Sequence, residues 1–84
     1  MTEGVDKKEI LIESGKVLYG ERWQTDLARD LGLSDARRIR QWLADERPIP
    51  DGIVMDLQRL LMTRHLNLAK VVHKVNQAAV KLSE

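Results

Sequence analysis

The stretch from Gln24 to Trp42, QTDLARDLGLSDARRIRQW, constrains the fold most, because it fits two short helices and one tight turn into nineteen residues. Trp23, Leu27 and Leu31 recur at i, i+4 and i+8, with small Ala28 beside them, and Gly32 can take positive φ and end a helix there. Ser34 or Asp35 can then cap a second helix whose apolar side is Ala36, Ile39, Trp42 and Leu43.

Composition places these helices in an all-α domain. With 84 residues there is room for one core and not two, and a partner subunit would add to it. The chain has no Phe and one Tyr, and no window alternates apolar and polar residues with the period of a strand. Its 43% hydrophobic and 32% charged residues describe a folded helical protein and not a disordered tail. The absence of cysteine excludes disulfides and thiolate zinc sites and is compatible with a reducing cytoplasm. Near the N-terminus, Ile10–Ile12 is a three-residue apolar run flanked by charges, too short for a signal peptide or a membrane span. A cytoplasmic protein without a membrane partner is expected.

Five helices are expected. The first spans about Asp6–Tyr19 and stops at Gly20; Gly15 within it costs roughly 1 kcal/mol relative to alanine and marks a close helix contact. The second runs from Trp23 to Gly32 and the third from about Asp35 to Ala44, before the rigid loop Arg47-Pro48-Ile49-Pro50. Asp51 caps a fourth, carrying Ile53, Val54, Leu57, Leu60 and Leu61 and ending near Arg64. A fifth follows, with Leu66 and then Leu68, Val71, Val72, Val75, Ala79 and Leu82 along one face. Residues 1–65 thus form the main unit, and residues 66–84 form a helix that either folds back on it or pairs with a second subunit. Pairing is the favoured reading, with the six residues from Leu68 to Leu82 as the dimer contact.

Charge is unevenly spread. Net charge is only +1, yet no acidic residue falls between Leu57 and Ser83, where Arg59, Arg64, Lys70, Lys74 and Lys81 stand. Such a face is ordinarily a solvated surface; phosphates or an acidic partner are the alternatives. The second cluster is Arg37, Arg38, Arg40 and Gln41, between the apolar residues of the third helix. Arginine reads guanine edges, glutamine reads adenine and both bind phosphates, so a helix presenting them suits the major groove of DNA. Taken alone, the same arginines are a solvated face balanced by Asp30, Asp35, Asp45 and Glu46.

The pattern Gln-x-x-Leu-Ala-x-x-Leu-Gly-Leu-Ser at Gln24–Ser34, followed by Ile39 and Trp42, resembles the lambda-repressor-like (Cro/CI, XRE-type) helix-turn-helix family. The likeness covers about Trp23–Leu61. It implies a five-helix bundle in which helices 2 and 3 contact double-stranded DNA. Gln24 would hold a phosphate, and Ala36, Arg37 and Gln41 would read base edges. Ser34, Asp35, Arg38, Arg40 and Arg47 complete the expected DNA-binding surface. Asp35 serves as a cap or accepts from a cytosine amine, and Arg47 clamps the backbone or is a plain loop residue.

One departure affects the register: four residues, Asp35–Arg38, separate Ser34 from Ile39 where the family has three. An added residue turns a helix by about 100° and would send a core side chain into water. The extra residue is therefore expected in the turn or the first helical position, with Ile39, Trp42 and Leu43 kept inside.

Other signals are weaker. Trp23 and Trp42 lie on apolar stripes and read as core. His65 and His73 are eight apart without a third ligand, so neither a metal nor a cofactor is expected. Ser14-Gly15-Lys16 lacks the glycine loop of a P-loop, and no catalytic constellation exists. The expectation is a non-enzymatic transcriptional repressor that binds a palindromic operator as a homodimer, of the small stand-alone kind frequent in phages and plasmids, with a protein co-regulator as a possible partner. The alternative is an antitoxin-like interaction protein whose basic C-terminal helix binds a protein.

Overall fold

The computed structural model describes residues 5–84, so the first four residues of the charged N-terminal stretch lie outside it. Asp6 opens the first helix, α1 (Lys7–Tyr19), by accepting a hydrogen bond from the Glu9 amide at 3.0 Å. Gly20, at φ +85°, closes it. Gly15 is buried in its middle, where a Cβ would overlap the indole of Trp23, so the expected close contact is there.

The second helix, α2 (Trp23–Asp30), is two turns long and not three, and Leu31 caps it. The Gly32 amide donates to the Arg29 carbonyl at 3.0 Å and the Leu33 amide to the Ala28 carbonyl at 2.8 Å, with Gly32 at φ +81°. That paired arrangement is a Schellman motif, which terminates a helix by satisfying its last carbonyls. The third helix, α3 (Arg37–Leu43), ends the same way: Asp45 takes φ +63°, its amide donating to Trp42 at 3.2 Å while Glu46 donates to Gln41 at 2.9 Å. The helix therefore stops several residues before Pro48.

One large side chain from each helix is fully buried: Leu11, Leu27, Ile39 and Leu57. Trp23, Ala28, Trp42 and loop residue Ile49 close the cluster around them. α1 packs against both α2 and the C-terminal helix, while α3 rests on α2. Long-range polar contacts also converge on α1. Lys7 donates to the Ile49 carbonyl at 3.1 Å and pairs with Asp51, and Lys8 pairs with Asp45 at 2.8 Å.

The expected five-helix bundle is not what forms. There are four helices among the described residues, and α4 (Asp51–Leu82) runs unbroken for 32 residues. No Gly or Pro interrupts Met62–Asn67, so nothing in the backbone ends a helix there. Arg64 fastens that point to the body: its guanidinium donates to the Leu18 carbonyl at 2.9 Å and lies 5.8 Å from the Tyr19 ring centroid. Every residue beyond Leu61 is exposed, so the last part of α4 does not fold back but projects as an arm. At 1.5 Å per residue the helix is about 48 Å long, and the molecule measures 58 × 34 × 19 Å. No helix among the described residues is long and apolar enough to cross a membrane.

Candidate nucleic-acid interface

The six residues from Leu31 to Ala36 connect α2 to α3. α3 begins at Arg37, later than expected, and Ile39 and Trp42 both remain in the core. Ala36, and not Ser34 or Asp35, is the N-cap of α3 and makes no side-chain cap bond; the Asp35 carboxylate, one residue earlier, accepts from the Arg37 amide at 2.8 Å.

With the apolar side fixed inward, Arg37, Arg38 and Arg40 are exposed and Gln41 is half-buried. Ser34, Asp35, Arg37, Arg38, Gln41 and Arg47 line one open concavity of about 540 Å³. Arg47 reaches it from the loop after α3. Arg40 turns toward an adjoining depression beside Thr25 and Arg29, two α2 residues that the sequence did not single out. Their four-residue spacing on α2 was the available signal. Gln24 is half-buried at the start of α2 and lines neither surface.

Ala36, expected at a base edge, takes the opposite face. It is buried in the hydrophobic cluster and cannot present itself to a base edge. The same register explains this, since Ala36 lies three residues before Ile39 on the inward face.

The electrostatics favour an anion. Among the described residues, Arg37, Arg38, Arg40 and Arg47 make no ion pair. Two of the four nearby acids are engaged elsewhere: Asp30 accepts from the Tyr19 hydroxyl at 2.5 Å and faces Arg29, and Asp45 pairs with Lys8. Asp35 lies in the concavity and Glu46 is exposed beside Arg47. Arg37, Arg38 and Arg47 thus share one concavity with a single carboxylate, Asp35, a net positive field suited to phosphate.

Elsewhere, His65 and His73 line one shallow depression on the arm with Leu68 and Val72. No group of three His, Cys, Asp or Glu among the described residues is arranged to hold a metal ion. Compared with protein-family models, with curated proteins and with solved structures, the chain finds no match in any of the three.

Proposed function

We propose that this chain binds double-stranded DNA sequence-specifically, as a helix-turn-helix protein of the lambda-repressor-like kind, and represses transcription in the cytoplasm by occluding a promoter. The carrying observation is Arg37, Arg38 and Gln41 displayed by a short helix whose other face is locked into the core, with Arg47 beside them from the following loop and none of the three arginines in an ion pair among the described residues. Arg37 and Gln41 lie one turn apart on the same face, as base-reading side chains must. Arg38, Arg40 and Arg47 supply phosphate contacts. Ser34 and Asp35 border the groove.

A homodimer follows from the size of the reading head. One such helix covers about four to six base pairs, and two copies about 34 Å apart read successive major grooves of a palindrome. The exposed stripe of α4, from Leu68 to Leu82, is the surface available for pairing.

The test begins with an operator selected from random DNA, followed by gel shifts on matched and altered sites. Arg37→Ala and Gln41→Ala each cost about 1–3 kcal/mol and relax base preference, whereas Gln24→Ala weakens all sequences alike. Unchanged discrimination in both first variants rules out the register; no selected sequence at all rules out the reading.

The exposure of Lys70, Lys74 and Lys81 on an arm without acidic residues favours a second reading, an antitoxin-like module gripping an acidic protein. A DNA reader loses affinity steeply with salt yet keeps its preferred palindrome, which the protein-binding module does not.

A further inference from the structure

The stripe of the arm and the groove between α1 and α4 meet at Leu61, which belongs to both. From Leu61 the stripe advances by alternating steps of four and three residues to Leu82, through Leu68, Val72, Val75 and Ala79, with His65 as its one polar member. That 3.5-residue repeat is the seam of a coiled coil, whose natural complement is another seam of the same kind. Lys70, Lys74 and Lys81 fall outside it. Leu61 also lines a groove of about 310 Å³ with Ile10, Ser14, Val54 and Met62, and that groove continues to Val17 and Glu13. Val17 is 76% exposed and Leu82, at the other end of the seam, 86%.

We propose that the occupant of this surface is α4 of a second copy running antiparallel, with the Leu82 end of each arm seated in the α1–α4 groove of the other. The proposal rests on the homodimer reading above and not on DNA binding. Length supports it. Leu61 to Leu82 spans about 31 Å of helix, and a two-fold axis beside Val71 and Val72 brings Leu82 of one copy level with Leu61 of the other.

Charge supports it as well. A parallel pair in register would align two helix dipoles and place His65 against its own copy, between arms that each carry bases and no acids. The antiparallel pair opposes the dipoles and sets the carbonyl end of each arm near Arg64 of the other. It also brings Lys81 toward Glu13 at the rim of the groove. Val17 and Leu82 then cover each other, whereas parallel pairing leaves Val17 in water.

The chain has no cysteine, so introduced thiols report without background. Sedimentation of the intact chain gives the mass, and circular dichroism confirms that each cysteine variant keeps its helices. Under mild oxidation Val72→Cys, beside the axis, links to itself. A mixture of Val17→Cys and Leu82→Cys chains gives a mixed product on the order of tenfold or more above the Leu82→Cys self-product, because paired thiols react at the effective concentration of a held pair. A dimer that links Leu82→Cys to itself, or gives no mixed product, overturns the antiparallel docking and leaves the homodimer standing. A monomer overturns both and assigns the arm to a different protein.

Discussion

The body from α1 to the first turns of α4 and the arm beyond Arg64 use the same aliphatic residues in opposite surroundings. Leu27 is completely buried among side chains from all four helices, whereas Val72 on the arm is 47% exposed. The body has its own core. The arm has an apolar face and nothing on it, and it stays helical because it extends a helix already nucleated and anchored, so no new nucleus is needed. Periodicity therefore locates apolar faces without saying what covers them.

The sharpest way to break this contrast is to make the same truncation on both sides. Leu27→Ala removes buried methyl groups from the shared core and should cost roughly 2–5 kcal/mol in urea unfolding. Leu68→Ala, measured in dilute monomer, should stay within about 0.5 kcal/mol of the parent. Equal losses would mean that the arm is packed and the two-region description is wrong.

Next in size is the effect of charge on the seam. Valine and aspartate differ little in helix propensity, so the double change Val72→Asp, Val75→Asp should leave helicity and the unfolding of the dilute body nearly unchanged. It should abolish the dimer in light scattering and weaken operator binding. An unchanged mass would sink the pairing assignment.

How much of this was legible depended on whether the cause lay close in sequence. Trp23, Leu27, Ile39, Trp42 and Leu57 announce the core by spacing, and Gly15 announced its contact because a small residue inside a helix stripe needs a neighbour to explain it. That the Asp35 carboxylate takes a backbone amide at the start of α3 was readable two residues from that amide, although the cap position itself falls on Ala36. The left-handed turn at Asp45 was not, since an aspartate there looks like any loop acid, although the expected end at Ala44 falls within one residue of the observed one at Leu43. The division into a fourth and a fifth helix has no local signal behind it, because no Gly or Pro between Met62 and Asn67 breaks the helix. In the site, spacing places Ile39 and Trp42 in the core, as the structure has them, but Ala36 belongs to that inward face alone and not to the groove. The engagement of Asp45 by Lys8, 37 positions away, was invisible locally, and it draws one nearby carboxylate away from the arginines.

A smaller effect is expected at the joint between the two regions. Arg64→Ala removes the hydrogen bond to the Leu18 carbonyl and the contact with the Tyr19 ring, for a loss of about 1–2 kcal/mol. Hydrogen exchange should rise first near Leu18, Tyr19 and the middle of α4. Faster exchange confined to the C-terminal turns would place the anchor elsewhere.

The smallest effect is a pH dependence at that same joint. Burial, then the hydrogen bond to the Asp30 carboxylate and its charge, push the Tyr19 phenol up to about 12, against weaker opposing pulls from Arg64 and Arg29. An unfolded tyrosine ionises near 10. The folded chain therefore holds this proton more tightly, so the contribution is fully present below about pH 10 and is lost as pH rises through about 12. Lysines titrate over the same range, which makes the difference between parent and Tyr19→Phe the quantity to measure. The variant should start slightly less stable at neutral pH, lacking the bond to Asp30, and the gap should close between about pH 10 and 12 because only the parent has a phenol to lose. A gap that stayed constant across that range would show that the hydroxyl does not hold the end of α1 to α2, and the joint would then rest on Arg64 alone.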